Sequence, residues 1–359
     1  MFAFAIWDSK RQNHFLARDR MGIKPLYYAV SKQGFYFASN PQALLATGLF
    51  ATDIDPVGLH HQLSLHAVIP APRTLIKSIR KCRPAFYMNV TPDGKLTEAR
   101  YWTLMAKRPA ESMSAAEWNQ AIHDSLMQAV KKRLTIADVP VGVLLSGGLD
   151  SSLLVALLAE AGQHDIRTFS IGFEDQPEER GNEFEFSDPV AERYATDHQK
   201  FLIPNAEVLT RLPEAVKAMA EPMFGQDAVA FYLLSEQVSK SVKVVQSGQG
   251  ADEVFAGYFW YAKMAAAEGT ALERFSGHYV DRDHDEFRDT VASAYRGEDY
   301  TATLIEEHLE TDQADSFLDA VLRFDVTTLV VDDPVKRVDN MTMAWGLEAR
   351  VPFLDHQLV

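Results

Sequence analysis

Residues 143–152 read Val-Leu-Leu-Ser-Gly-Gly-Leu-Asp-Ser-Ser, and the apolar run Leu153–Leu158 follows them. A strand that stops in a Ser-Gly-Gly turn and restarts as a helix gathers backbone N–H groups at a helix N-terminus, where anions bind. The two glycines let a ligand approach the backbone closely, and Ser146, Ser151 and Ser152 add hydroxyl donors. The pattern predicts a phosphate-binding turn between a strand and a helix.

Asp150, inside this turn, indicates that a cation accompanies the phosphate. A carboxylate repels phosphate unless a cation lies between them, so we expect Mg²⁺ to bridge Asp150 to phosphate oxygens. The Walker P-loop requires Gly-Lys-Ser/Thr, and no lysine occurs in this segment. An ordinary strand-to-helix turn of small residues is the alternative for these ten residues taken alone.

A second turn of the same kind, Ser247–Glu253, reads Ser-Gly-Gln-Gly-Ala-Asp-Glu and follows the predicted strand Val242–Gln246. The carboxyl ends of parallel strands meet at one sheet edge, so the two turns would form a two-sided phosphate site. Asp150 and Asp252 would then flank a Mg²⁺-bound triphosphate, a geometry suited to displacing pyrophosphate from the α-phosphorus. A structural glycine turn is the alternative here.

Strands and helices alternate around both turns, which predicts an α/β fold with a doubly wound parallel sheet. Ser114 and Glu117 form a capping-box pattern that begins a helix ending near Leu134. The other predicted strands are Val141–Leu145, Arg167–Phe173 and Lys200–Ile203, and the other predicted helices are Pro189–Asp197, Leu209–Met219 and Ala228–Val238. Residues 261–320 are acidic and predicted to be helical, without recognisable chemistry.

The beginning of the chain has a different pattern, with short strands separated by polar or Gly/Pro turns, typical of an antiparallel β region. The predicted strands are Phe2–Trp7, His14–Ala17, Leu26–Val30 and Gly34–Ala38, with helices at Pro41–Leu45 and Pro56–His66. We therefore expect a first domain at 1–102, a linker at 103–118 and a second domain at 119–359.

Composition excludes several classes of function. The net charge of -15 argues against a nucleic-acid surface, which depends on clustered Lys and Arg. No run of about eighteen apolar residues occurs, and the start lacks a basic segment, so neither a membrane span nor a secretory signal is indicated. Cys82 is the single cysteine, which excludes internal disulfides and fits a cytoplasmic protein. A homodimer is left open as the assembly.

The segment Ser146–Ser151 matches the pyrophosphate-loop signature of ATP-pyrophosphatases. Together with Ser247–Glu253 and Met341–Asp355, it resembles the glutamine-dependent asparagine synthetase family. The segments 2–8 and 18–28 are similar to the latter half of that family's glutaminase domain. The resemblance implies an adenine nucleotide alpha hydrolase-like synthetase domain, preceded by the second half of an N-terminal-nucleophile glutaminase α+β domain. The stretches 221–227 and 338–345 and Gln249 are most similar to the N-acetylglutaminylglutamine amidotransferase branch.

The resemblance implies a ligase that uses ATP and Mg²⁺. A small-molecule carboxylate, either N-acetylglutaminylglutamine or aspartate, would be adenylated, and ammonia from glutamine would displace AMP to leave an amide. Asp150 and Asp252 would bind the metal, and the catalytic group would be Asp150, Asp252, Gln249 and Glu253. The expected nucleotide contacts are Leu145, Ser146, Gly147, Gly148, Ser151, Ser152, Ile171, Ser247 and Gly248.

The sequence departs from the family pattern at three points, which bear on the expected activity and substrate. The family's catalytic cysteine and its partners would lie upstream of Phe2, and its C-terminal lysine segment would lie after Val359. We therefore expect the chain to be a fragment lacking both ends and unable to hydrolyse glutamine. Gln249 replaces the glutamate usual in asparagine synthetases, and a neutral amide neither acts as a base nor repels a carboxylate, which argues against aspartate.

Other residues suggest weaker functions. Cys82 lies in a Pro-rich basic connection and is predicted to be a buried or incidental thiol rather than a nucleophile. His60, His61 and His66 suggest a metal site, but no acidic or Cys partner has ligand spacing, so a solvated helix face is the prediction. Neither serine turn fits the Gly-x-Ser-x-Gly pattern of hydrolases. A non-catalytic ATP-binding remnant and a β-lactam-forming synthetase are the alternative functions.

Overall fold

The computed structural model describes residues 1–175, 181–224 and 227–359. The chain forms two compact units, each assembled from three separate stretches. The first unit contains Met1–Pro109, Ala220–Phe224 and Phe255–Lys336. The second contains Ala110–Met219, Gly225–Val254 and Arg337–Val359.

The strands, in chain order, are β1 (Ala3–Asp8), β2 (Asn13–Arg18), β3 (Tyr27–Ser31), β4 (Gly34–Ala38), β5 (Arg80–Lys81), β6 (Phe86–Val90), β7 (Leu96–Arg100), β8 (Val141–Leu144), β9 (Arg167–Phe173), β10 (Asp197–Ile203), β11 (Val244–Gln246) and β12 (Glu348–Arg350).

The helices are α1 (Pro41–Leu45), α2 (Pro56–Ser64), α3 (Ala115–Thr135), α4 (Leu149–Glu160), α5 (Phe184–Arg193), α6 (Asn205–Ala218), α7 (Asp227–Val238), α8 (Ala251–Phe255), α9 (Phe259–Ala266), α10 (Ala271–Tyr279), α11 (His284–Thr290), α12 (Tyr300–Leu309), α13 (Phe317–Phe324), α14 (Val330–Asp332) and α15 (Pro334–Met343). A π-helical turn, Asp325–Leu329, joins α13 to α14. No helix of the described residues combines the length and apolar character that crossing a membrane requires.

The second unit contains a five-stranded parallel sheet in the order β10-β9-β8-β11-β12. Alternate side chains at the end of β8 enter two different apolar clusters. Val143 and Leu145 pack with α3 and α4, whereas Leu144 packs with α7 and α15. Both faces of the sheet are therefore covered by helices, which confirms the predicted α/β class with a doubly wound parallel sheet.

The first unit contains two antiparallel sheets, in the orders β1-β2-β6-β7 and β4-β3-β5. This confirms the antiparallel region predicted at the start of the chain. Cys82 lies in the apolar cluster beneath these strands and is fully buried. This burial confirms the prediction of a buried thiol, and it raises the pKa of Cys82 to about 11, which disfavours the reactive thiolate.

Two predicted helix starts are wrong. The helix expected from Pro189 begins five residues earlier, at Phe184, and Asp197 already belongs to β10. The helix expected from Leu209 begins at Asn205 and contains Pro213. Pro189 lies inside α5, so its local preference for a first-turn position is outweighed by the surrounding packing, whereas Pro213 lies inside both the predicted helix and α6.

The predicted solvated face of α2 is also wrong. The side chains of His60 and His61 are buried, at 1% and 5% exposure, and the helix ends at Ser64 rather than His66. The histidines pack against α11 and α12, elements far away in sequence, which local periodicity does not reveal.

A buried ion-pair network links the β region of the first unit to later parts of the chain. Lys81, 2% exposed, donates to Glu221 Oε2 at 2.8 Å and also to Asp332. Burial would lower the pKa of Lys81, but the two carboxylates outweigh it and raise this pKa. Asp332 is likewise buried, and Lys81 and Lys336 hold its pKa below the usual range despite burial.

Replacing Lys81 by methionine leaves two buried carboxylates without their main cation. We expect Lys81→Met to lower the free energy of unfolding by about 3–5 kcal/mol, measured by urea denaturation. The control is Arg83→Met, because Arg83 pairs with Glu98 at the surface and such pairs contribute about 0–1 kcal/mol. Equal losses in the two variants would contradict this role of Lys81.

The last turn of α3 is joined to the end of the chain through Asp355. Arg133 Nη1 donates to Asp355 Oδ2 at 2.9 Å, and the Arg350 guanidinium donates to the Arg133 carbonyl oxygen. Burial alone would raise the pKa of Asp355, but hydrogen bonds from Arg133 and the Gln357 N–H lower it to about 2. The ionised carboxylate therefore stabilises the fold.

The lowered pKa makes this contribution depend on pH. An unfolded aspartate titrates near about 3.9, so the stabilisation is complete above that pH and is lost between about pH 4 and pH 2. We expect Asp355→Asn to lose about 2–3 kcal/mol near neutrality and progressively less on acidification, measured by urea unfolding across pH. A wild-type-minus-variant difference that stays constant down to about pH 2 would contradict the assignment.

Candidate nucleotide-binding site

The turn between β8 and α4, Leu145–Gly148, is shaped by two of its own hydroxyl groups. The Gly148 N–H donates to Ser146 Oγ, and the Ser146 N–H donates to Ser151 Oγ, each at 3.2 Å. Ser151 Oγ donates in turn to the Gly148 carbonyl oxygen at 3.2 Å. Ser151 is buried and Ser146 is exposed, so within this pair Ser151 supports the turn and Ser146 faces solvent.

The N-terminus of α4 is available to an anion. The N-cap residue is Gly148, which has no side chain to cap the helix. The first N–H groups of a helix have no intrahelical acceptor, and their partial positive charge attracts phosphate. Ser152 Oγ is buried and has no hydrogen-bond partner among the described residues. The turn thus offers backbone and hydroxyl donors at one point.

The second turn follows β11, where the Ser247 N–H donates to the Arg350 carbonyl oxygen at 2.9 Å. Ser247 and Glu253 are buried, whereas Gly248, Gln249 and Asp252 are half-buried. The half-buried residues are therefore the most accessible ones of this turn.

The two turns lie in contact. A Cβ atom placed on Gly248 would lie 3.1 Å from Asp150 Cβ and 3.5 Å from the Ser151 nitrogen, so only glycine allows this approach without displacement. Burial, followed by the charge of Asp252, raises the pKa of Asp150, and burial raises the pKa of Asp252. Both half-buried carboxylates are therefore harder to ionise than a free aspartate.

The donor set of this site fits Mg²⁺. Mg²⁺ prefers oxygen ligands and commonly uses one or two carboxylates together with substrate phosphates. A divalent cation near Asp150 and Asp252 would offset their repulsion and favour both ionised forms. The same arrangement would be unfavourable for a bound triphosphate without a cation.

Polar residues of β9 lie beside the first turn and were not predicted as site residues. The Ser170 hydroxyl donates to the Leu145 carbonyl oxygen, and Thr168 Oγ1 lies 2.8 Å from His198 Nδ1. Burial lowers the pKa of His198 and so favours its neutral form. Thr168 and Ser170 alternate with apolar residues in a strand that helices cover on both faces. Such polar residues in a buried strand are the sequence signal that could have identified them. Ile171 is half-buried and packs with Phe201 and Phe231.

Of the stretch 221–227, residues 225–226 lie outside the described residues. Glu221 is buried in the Lys81 network of the first unit. Asp227 forms an ion pair with Arg337 at 2.8 Å in the second unit.

The strand order of the sheet and the position of the two turns indicate the class of protein. The strand order reverses between β8 and β11, and α/β proteins of this type bind ligands at such a reversal, beyond the carboxyl ends of the strands. The Asparagine synthase family model matches residues 121–359, and the Glutamine amidotransferase domain model matches residues 1–102. The chain belongs to the asparagine synthase family, which confirms the family inferred from the motifs; the branch stays a prediction.

Relatives support this membership over the whole chain. Glutamine-hydrolysing asparagine synthetase 3 of Bacillus subtilis is 31% identical, with 100% of this chain and 60% of the relative covered. The human glutamine-hydrolysing asparagine synthetase is 28% identical, with 99% of this chain and 54% of the relative covered. The chain thus spans about 60% of the length of the bacterial relative.

Among solved structures, an NH3-dependent NAD synthetase from Campylobacter jejuni has 12% identity and a TM-score of 0.30, covering 53% of this chain and 93% of that one.

Gly147 allows the first turn to approach α5. Its φ of +90° disfavours other residues, and an added Cβ would lie 2.4 Å from the Phe186 carbonyl carbon and 2.5 Å from the Ser187 nitrogen. Both atoms belong to the backbone and cannot move aside as a side chain would.

We expect Gly147→Ala to lower the free energy of unfolding by about 2–5 kcal/mol, the sum of backbone strain and overpacking. Gly162→Ala is the matched control, because Gly162 has φ +87° with nothing within 4 Å of its added Cβ. The control should lose only the conformational part, about 1–2 kcal/mol. Chemical denaturation measures both, and equal losses would show that contact with α5 adds nothing.

Proposed function

We propose that this chain contains the synthetase site of an ATP-dependent ligase that adenylates a carboxylate and converts it to an amide with ammonia. The observation that carries the proposal is the contact between the two turns at Gly248 and Asp150. Membership of the asparagine synthase family supports it. The relatives are longer than this chain, which covers 60% of the Bacillus subtilis protein. That glutamine is the source of the ammonia is therefore also part of the proposal.

In the proposed site, the turn Leu145–Gly148 and the N-terminus of α4 bind the phosphates through backbone N–H groups. Ser146, Ser152, Ser247 and Gly248 add contacts on the two sides, and Ile171 lies on the adenine side. When bound, Mg²⁺ would neutralise charge that develops on the phosphate oxygens. Asp150 and Asp252 would hold it there.

The reaction balances in two displacements. The acceptor carboxylate attacks the α-phosphorus and pyrophosphate leaves; ammonia then attacks the acyl carbon, AMP leaves, and a proton is lost to give the amide. Positioning of the reactants would contribute much of the acceleration. Gln249 and Glu253 are proposed on the acceptor side of the second turn, and the neutral Gln249 amide is compatible with a peptide-like acceptor whose only charge is the reacting carboxylate, such as N-acetylglutaminylglutamine.

We also propose 1–102 and 119–359 as the evolutionary domains, joined by 103–118. This division rests on sequence motifs, whereas the two compact units are defined by contacts in the structure. In those units, residues 255–336 are grouped with residues 1–109. A homodimer stays a prediction.

Nucleotide binding tests the site directly. Titration calorimetry with Mg²⁺-ATP should give binding by the wild-type chain and weaker binding by Asp150→Asn and Asp252→Asn. A charge-assisted contact contributes roughly 1.5–3 kcal/mol, so we expect about 10- to 150-fold weaker affinity for each. Asp165→Asn, an exposed carboxylate of the second unit, is the control and should bind as wild type. Equal affinity of all four proteins would refute the assignment.

Turnover distinguishes the alternative functions. With ammonia and ATP supplied, the ligase proposal expects AMP, pyrophosphate and an amide in equal amounts, from aspartate in one arm and N-acetylglutaminylglutamine in the other. Mass spectrometry identifies the product, since a β-lactam would form with loss of water and without incorporation of ¹⁵N from ammonia. Nucleotide binding without AMP formation in a chain extended to the length of its relatives would favour a non-catalytic remnant.

A further inference from the structure

Two histidines and an aspartate from three separate segments converge in the first unit. His60 belongs to α2, His284 begins α11, and Asp299 precedes α12. His60 Nε2 lies 3.4 Å from His284 Nδ1 and 4.0 Å from Asp299 Oδ1. One ligand atom from each of these residues lies within 4.8 Å of the other two. The proposed ATP site makes no use of these side chains.

The spacing matches the coordination sphere of a small divalent metal. Zn²⁺ binds imidazole nitrogen at about 2.0–2.1 Å, and a tetrahedral angle then separates two ligand nitrogens by about 3.3–3.4 Å. The observed separation of the two imidazole nitrogens is 3.4 Å. Asp299 Oδ1 lies 4.0 Å from His60 Nε2 and requires a shift of less than about 1 Å to reach the same separation.

The hydrogen bonds behind His60 are compatible with a tautomer whose Nε2 lone pair can bind a metal. Thr301 Oγ1 lies 3.4 Å from His60 Nδ1 and 3.1 Å from His61 Nδ1. When the Thr301 hydroxyl donates to His61 Nδ1, it accepts from the His60 Nδ1–H, and His60 Nε2 presents its lone pair. Such outer hydrogen bonds orient histidine ligands in metal sites.

Packing and capping orient the other groups. The Phe287 ring lies 4.2 Å from the His60 ring, centroid to centroid, and shields one side of it. Asp299 Oδ1 caps α12 by accepting from the Ala302 N–H at 2.9 Å, which fixes the carboxylate beside His60. His60 is 1% exposed, whereas His284 and Asp299 are half-buried, so an ion could enter from their side.

We propose that His60, His284 and Asp299 bind a divalent transition-metal ion, with Zn²⁺ as the best fit. Two imidazoles and one carboxylate suit zinc and neighbouring metals better than Mg²⁺, which prefers oxygen ligands. With three protein ligands, at least one coordination position takes water. The ion links α2 to a segment more than two hundred residues later, since His284 lies 224 positions after His60.

Metal binding by the chain tests the proposal. The protein is freed of metal with a chelator and titrated with Zn²⁺ in competition with a chromophoric chelator. We expect one Zn²⁺ bound per wild-type chain. Loss of outer hydrogen-bond partners alone costs about 10- to 100-fold in affinity, so His284→Ala, which removes a ligand, should cost more than about 100-fold. Co²⁺ in place of Zn²⁺ should give visible absorption bands typical of nitrogen and oxygen ligands.

Three further variants separate ligation from folding. His278→Ala, at an exposed histidine of α10, is the control and should keep wild-type affinity. Asp299→Asn retains a good helix cap while removing the charge, so it should keep the metal-free unfolding temperature and lose zinc affinity. Thr301→Val should weaken affinity about 10- to 100-fold. Zinc binding that is absent in wild type, or unchanged in both His284→Ala and Asp299→Asn, would overturn the proposal.

Discussion

Parallel pairing of β8 with β11 is the constraint on which the candidate site depends. Val141 pairs with Val244 and Val143 with Gln246, so the two strands end side by side. Each strand is followed at once by a glycine-containing turn, and the turns therefore meet without any long connection. The distance between Asp150 and Gly248 follows from this register, because a shift by one residue would turn the side chains to opposite faces.

Charged side chains elsewhere in the second unit stabilise the elements that support this pairing of β8 with β11. Arg133 at the end of α3 binds Asp355, and Arg350 of β12 donates to the Arg133 carbonyl. Since β12 pairs with β11, the same set of contacts fixes the strand that precedes the second turn. In the first unit the Lys81 network has the equivalent role, joining segments distant in sequence through ions that are stable only together.

The two carboxylates near the turns and the two histidines near Asp299 illustrate different kinds of polar site. Burial and the charge of Asp252 raise the pKa of Asp150, a cost of ionisation that a hard cation with phosphate oxygens would relieve. Burial lowers the pKa of His60, despite the opposing charge of Asp299, which favours the neutral imidazole that softer metals bind. The two carboxylates belong to the second unit, and the two histidines belong to the first.

Local sequence determined the strand-to-helix turns, the capped start of α3 and the parallel alternation of the second unit. Glycine pairs, caps and apolar periodicity act over a few residues, and these features were therefore predictable. The contact of Gly248 with Asp150, the burial of His60 and the place of Pro189 inside α5 were decided only by tertiary structure. Each depends on residues far apart in the chain, whose proximity is set by strand order and core packing, and no local pattern encodes that proximity.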